Sequence, residues 1–264
     1  IEFSGEVDFS NKKPIMDFVA NLIEVDLVKL NLYNHSPVAN LSSLIEINLQ
    51  GNTWNNIEGD IGAYFTSFET LDNKYYYDDV LLSAEKFEEK DVFRLQSDFL
   101  IADIEGQIDV QNVFSSFLSY LAPHFPFINE SNDKVQDFDF DISILNLSDF
   151  SKLLIPNLDL ANGTRFLGNF NNRREGLKLN IRSPSLGWDN FLFQNLNLNA
   201  QFDNQGWELD VFAAEVDFKE RIRLQNISFN QLGAHGDCNY SLNWESSDST
   251  KFYGHLKGLV NMHE

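Results

Sequence analysis

Apolar and polar residues alternate with a period of two through most of this chain, and the clearest instance is Ile101–Val110 (IADIEGQIDV). From Ala102 onward, Ala102, Ile104, Gly106, Ile108 and Val110 share one face, while Asp103, Glu105, Gln107 and Asp109 share the other. That period belongs to a strand with one apolar side and one wetted side. The segment reads as a half-buried strand whose apolar face is interrupted by a glycine.

The interruption recurs as apolar-x-Gly-x-apolar, centred on Gly5, Gly59, Gly106, Gly168, Gly236 and Gly254. A glycine weakens a strand interior, so its repeated use on the apolar face marks bends or close approach of another group. The intervals are too irregular for a tight solenoid and suggest a loosely repeated unit of several strands. Gly59, Gly106, Gly168, Gly236 and Gly254 are the expected bends of a curved wall.

Along the chain, alternation marks Ile1–Phe9, Met16–Leu22, Leu44–Gly51, Ile57–Phe65, Tyr75–Ala84, Val92–Ser97 and Ile101–Val110. Leu27, Leu30 and Leu32 are spaced like a helical turn running into a strand. At Asn112–Ala122 the period changes: Phe114, Leu118 and Leu121 form a helical stripe that Pro123 stops, predicting a helix that covers an apolar edge. Alternation resumes at Phe138–Ile144. Ser148–Leu154, with Ser148 as N-cap and Pro156 beyond, predicts a short second helix. Further strands follow at Gly163–Phe170, Leu177–Ile181, Asn190–Phe202, Trp207–Ala213, Ile222–Phe229, Leu232–Trp244 and Phe252–Val260. About fifteen strands with one apolar face each must either stack as a two-sheet sandwich or curl into a trough around an apolar interior.

The 264 residues suffice for one large all-β domain or two ordinary ones, and 40 acidic against 19 basic residues give a formal charge of −21. Such a field repels nucleic acid and anionic membrane surface. The single cysteine, Cys238, cannot form an internal disulfide and reads as a small core residue. No apolar run approaches 18 residues, and there is neither a leader nor an initiator Met. Beginning and ending mid-pattern, the chain reads as a segment of a longer protein: one unit over 1–264, or sub-units 1–125 and 126–264.

Two passages carry a family resemblance. One is Asn56–Ile61 with the tyrosine-rich Lys74–Leu82 (KYYYDDVLL) and Ser97–Ile108 (SDFLIADIEGQI). The other is Phe138–Gly168, leading through Leu177–Pro184 (LKLNIRSP) to Phe191–Phe202 (FLFQNLNLNAQF). A Gly-marked strand, a short apolar helix ending in Pro, a Leu-x-Leu strand and another Gly-marked strand follow in succession. This resembles the Bacteroidota branch of the TamB family, the inner-membrane subunit of the translocation and assembly module within the AsmA-like group. The resemblance covers most of the chain and includes no catalytic signature.

It implies a long, curved, antiparallel-rich sheet folded into an open trough, a β-taco, with one or two short helices. It also implies a periplasmic segment of an inner-membrane-anchored protein reaching toward the outer membrane. The expected activity is non-catalytic: carriage of phospholipid acyl chains between the two membranes in outer-membrane biogenesis. Pairing with β-strands of outer-membrane proteins during their assembly is the alternative. The implied partners are phospholipid and an outer-membrane assembly protein of the BamA/TamA type. No cofactor is expected beyond bound phospholipid or detergent.

On that reading the trough is lined by Ile57, Ile61, Phe65, Val80, Leu82, Phe93, Leu95, Ile104, Ile108, Val110, Phe138, Phe140, Ile142, Phe166, Phe170, Leu177, Leu179, Leu196, Leu198, Trp207, Leu209 and Val211. A lipid tail gains about 0.8 kcal/mol per buried CH₂ and has no polar atom to fix its register, so it can slide. Each bend glycine would leave room for it. An ordinary sandwich core would use the same residues.

Other constellations are weaker. The five histidines (His35, His124, His235, His255, His263) are scattered, with no His-x-x-x-His, Cys cluster or Ser–His–acid arrangement. Asp137, Asp139 and Asp141 with Asp78 and Asp79 could ligate a hard cation, but alternation makes them a solvated face. Asn-x-Ser/Thr triplets, as at Asn40 and Asn162, follow from the abundance of Asn.

Overall fold

The structure, a computed structural model, describes residues 1–34, 36–125, 128, 132, 134–146, 157–174, 176–218, 222–234, 237–246 and 253–261. Its strands are β1 (Glu2–Asp8), β2 (Ile15–Asp26), β3 (Ala39–Gln50), β4 (Glu58–Thr70), β5 (Lys74–Lys86), β6 (Asp91–Ser97), β7 (Leu100–Gln107), β8 (Asp137–Ile144), β9 (Leu158–Leu160), β10 (Arg165–Asn171), β11 (Gly176–Trp188), β12 (Phe191–Phe202), β13 (Trp207–Phe218), β14 (Ile222–Ala234), β15 (Asp237–Ser246) and β16 (Tyr253–Asn261). A 3-10 turn (Val110–Asn112) runs into α1 (Val113–Leu121).

All sixteen strands belong to one antiparallel sheet. It runs in chain order from β1 to β8 and from β10 to β16, with β9 added to the far part of β11. The sheet does not close, because β1 and β16 each have a single neighbour.

The register shows why alternation dictates this sheet. Gly5, Phe18, Ile47, Ile61, Leu82, Leu95, Ala102, Ile142, Phe166, Ile181, Leu198, Val211, Phe229, Leu242 and Leu256 stand side by side, one from each strand of the main path. The adjoining row on the other face reads Arg94, Asp103, Asp141, Leu167, Asn180, Asn199, Asp210, Asn230, Ser241 and Lys257. A single-residue slip anywhere would exchange the two rows.

Among the described residues, no second sheet covers the apolar row. A compact protein of 30.4 kDa exposes about 12,000 Å², whereas this chain exposes 16385 Å². Most of the apolar row is half-buried rather than buried. The apolar side is the inner wall of an open trough, and the described strands form one sheet rather than the two of a sandwich.

The trough is occupied by its own chain at two places. Near one end, α1 lies on the wall: Phe117 and Tyr120 meet Phe170 edge to face at 6.0 and 5.7 Å, and His124 and Phe125 beyond Pro123 pack on Phe202 and Trp207. Gln136, fully buried, ties this plug to the wall by donating to Ser116 Oγ and to the Asp109 carbonyl. Toward the other end, Phe99, Ile144 and Leu160 form a buried cluster with Tyr77, Val80, Ile142 and Phe166 packed against it.

Several expectations are corrected. The strand read over 101–110 ends at Gln107, because Asp109 and Asn112 start the turn into α1. Leu27–Asn31 is a hydrogen-bonded turn between β2 and β3, without the strand expected after it. The run Leu232–Trp244 divides into the end of β14 and the start of β15, since alternation can continue in phase through a tight connection. Phe65 leaves the wall: it sits on a bulge of β4 at φ 51°, has no partner in either neighbouring strand, and is 78% exposed. The helix expected at Ser148–Leu154 and the glycine at 236 lie outside the described residues.

At four described wall glycines a neighbouring ring, not a guest, takes the space a side chain would fill. A Cβ at Gly254 would run into Trp244, at Gly233 into Trp207, at Gly258 into Tyr240, and at Gly168 into the Lys178 carbonyl and the Phe140 ring. Each of these aromatics is the cross-strand partner of its glycine, so the ring fills the space the missing side chain leaves. Gly106 differs, with φ 145° and the Asp137 carbonyl of β8 where its Cβ would be. We expect Gly106→Ala to lower stability by about 2–4 kcal/mol, since it combines backbone strain with a backbone clash. An unchanged urea midpoint would contradict this account of the β7–β8 approach.

Candidate functional site

An apolar cavity of about 350 Å³ lies on the trough side, where β3 to β8 meet the start of α1. It is lined by Leu49, Trp54, Ile57, Gly59, Ile61, Leu82, Ala84, Phe93, Ile104, Ile108, Val110, Val113 and Phe138. That volume lies within the roughly 300–1,000 Å³ of small-molecule sites. Its wall contains no charged side chain and one polar handle, the Trp54 indole.

Local sequence explains how these groups converge. In the β3–β4 turn, Asn56 Oδ1 accepts from the Asn52 and Thr53 backbone N–H groups at 2.9 Å each, and Asn56 Nδ2 donates to Asn52 Oδ1 at 2.7 Å. Asn55 fastens this turn to the β7–α1 connection: its Nδ2 donates to Asp109 Oδ1 at 2.9 Å, and its Oδ1 accepts from the Val110 N–H at 3.0 Å. The side-chain amides thereby hold Trp54, Ile57, Ile108 and Val110 around one space.

The expected lining residues fall into groups. Ile57, Ile61, Leu82, Phe93, Ile104, Ile108, Val110 and Phe138, with Gly59, surround the cavity. Phe170 and Trp207 are buried under α1 and the residues after it, and Leu177 is buried between them in the row. Val80, Ile142 and Phe166 belong to the second cluster. Leu95, Phe140, Leu179, Leu198, Leu209 and Val211 are half-buried wall positions, and Leu196 is a buried one. Sequence reasoning passed over Trp54, which sits in a turn with no period, and Val113, whose period is helical. Leu49 and Ala84 were visible as members of alternating runs.

Among the described residues, one ion pair stands on the apolar side. Lys86 Nζ lies 2.7 Å from Asp91 Oδ2 and 5.0 Å from the centroid of the Phe93 ring. Both side chains are largely covered.

The opposite face is acidic and also concave, because a strongly twisted sheet is saddle-shaped. A hollow of about 790 Å³, larger than the apolar one, is bordered there by Asp103, Glu105, Asp139, Asp141, Asn169, Lys178, Glu208 and Asp210. Asp103 faces Asp141 and Glu105 faces Asp139 across β7 and β8, a repulsive arrangement that nearby cations relieve. Arg165 Nε donates to Asp141 at 2.7 Å and holds its carboxyl below the ordinary value, while Lys90 pairs with Glu105. Among the described residues, no three His, Cys, Asp or Glu side chains are arranged to hold a metal ion.

Of the histidines, His35, His235 and His263 lie outside the described residues, and His255 meets Asn243 on the wetted face. Cys238 is buried and reduced. No described helix is long and apolar enough to cross a membrane. No protein-family model, curated protein or solved structure matches the chain.

His124 is 8% exposed, and burial lowers its pKa from 6.5 against the opposing influence of Asp203. A base with a depressed folded pKa is stabilising while neutral, above its unfolded value, and that contribution is lost as pH falls through the folded value. The chain should therefore lose stability below about pH 6.5, the ordinary imidazole value. His124→Phe, which keeps the ring contacts, should lose less over the same interval. Parallel urea midpoints for the two proteins between neutral and mildly acidic pH would refute this plug-centred account.

Proposed function

We propose that the chain is a non-catalytic segment that holds lipid acyl chains along the inner wall of its trough, serving phospholipid movement between the membranes of a double-membraned cell from a periplasmic position. The observation that carries this reading is an apolar row fifteen strands wide, with no second sheet over it among the described residues, opening into an apolar cavity. Exposed apolar area of this extent marks an interaction surface. A wall of aliphatic and aromatic groups without directional hydrogen bonds suits a guest that must slide.

Two features refine the proposal. The cavity beside β3 to β8 is the place for a tail to rest, because the wall near β10 and β13 is already taken by α1, His124 and Phe125. The acidic outer face keeps so long a sheet from associating side to side. The resemblance to TamB-like proteins points to the same activity.

The alternative reading is a scaffold whose sheet edge pairs with β-strands of outer-membrane proteins in transit.

A photo-crosslinking residue at Ile108, in the cavity, or at Val211, in the wall, separates the two. Lipid adducts at Ile108, together with phospholipid retained in native mass spectrometry, are the expected result. Ile104→Glu, which places a carboxylate in the apolar wall, should abolish retention. Polypeptide adducts at both positions, with lipid at neither, would replace the conduit by the scaffold.

A further inference from the structure

Lys86 and Asp91 are the only charged residues at wall-facing positions of the described strands. They flank the β5–β6 turn, and each continues the face of a cavity-lining neighbour: Lys86 that of Ala84, Asp91 that of Phe93. The pair shares a cross-strand row with Gly106 and the cavity-lining Phe138, and so stands at the cavity's margin. Trp54 and Ile57 approach the same end from β3–β4. The side chains are 15% and 20% exposed, and among the described residues the Lys86 ammonium has the Asp91 carboxylate as ion-pair partner and no hydrogen-bond partner.

We infer that this ion pair is a headgroup subsite, selecting lipids whose head carries both a phosphate and an ammonium over lipids whose head is only anionic. The inference rests on the acyl-chain reading above and adds what the head must be. A zwitterionic head presents phosphate oxygens to Lys86 and its ammonium to Asp91, so each buried ion exchanges one partner for another of the same sign. An anionic head satisfies Lys86 alone, leaves Asp91 facing like charge, and enters a chain of net charge −21. An ion left unpaired in covered surroundings is costly, whereas an exchanged partner is nearly neutral. The cation over Phe93 also fixes the pair at the end where a tail in the cavity would surface.

The test is titration calorimetry of the full 264-residue chain with two soluble lipids of identical tails, dihexanoyl phosphatidylethanolamine and dihexanoyl phosphatidylglycerol, below their micellar concentrations. The ethanolamine lipid is expected to bind about tenfold tighter, the scale of one charge-assisted hydrogen bond gained or lost. Asp91→Asn should remove most of that preference by admitting the glycerol lipid, and Lys86→Met should weaken both. Equal binding, or tighter binding of the glycerol lipid, by the unaltered protein overturns the headgroup subsite and leaves the acyl-chain reading standing. Binding of neither lipid overturns the acyl-chain reading, and the subsite with it. The unaltered protein decides the question even if a variant fails to fold.

Discussion

The structure depends on register. Each strand of the main path contributes one residue to an apolar row that crosses the sheet, and each inner row position is fixed by the two strands beside it. Because the opposite row carries Asp103, Asp141, Asp210 and their neighbours, a slip in any strand would drive carboxylates into the trough and apolar groups into water. The penalty for burying even one unpaired carboxylate is several kcal/mol. Polarity thus does the aligning that a packed second layer would do in a sandwich. The Gly–aromatic partners, Gly168 with Phe140 and Gly254 with Trp244, add a lock-like fit at particular positions.

Much of this was legible in the sequence because a period of two survives any curvature of the sheet. Alternation put Ile57 with Ile61, Leu82, Phe93 and Ile104 each on the apolar face of its own strand, and these faces meet around one cavity. What alternation cannot show is where the face changes hands. At Phe65 a bulge turns the next side chain outward, and at residues 232–244 the pattern keeps its phase through a change of strand. Nor could it show that glycines would be paired with rings, because that is a property of two strands at once. The plug was half visible: the helical stripe ending at Pro123 marked α1, but its contacts with Phe170 and Trp207 join residues far apart in the chain.

The choice between trough and sandwich lay beyond pattern altogether, since both use the same half-apolar strands. Exposed area separates them, and it does so because a one-layer wall leaves its inner side in contact with something other than protein. The chain limits this exposure by folding its own parts inward at two sites, α1 near Phe170 and the Phe99–Ile144–Leu160 group. Between them the wall remains half-covered, with a single ion pair at one margin.

The meander has a consequence for how such a molecule varies. Along the main path each strand hydrogen-bonds only to those just before and after it, so no long crossover ties distant parts together. Cohesion then accumulates neighbour by neighbour, as in an array of stacked units. Adding or deleting one hairpin would shift every later strand by an even number of places and leave the facing of each unchanged. The gutter's span is in this sense a free parameter of inheritance, adjustable two strands at a time without redesigning what lies on either side of the splice.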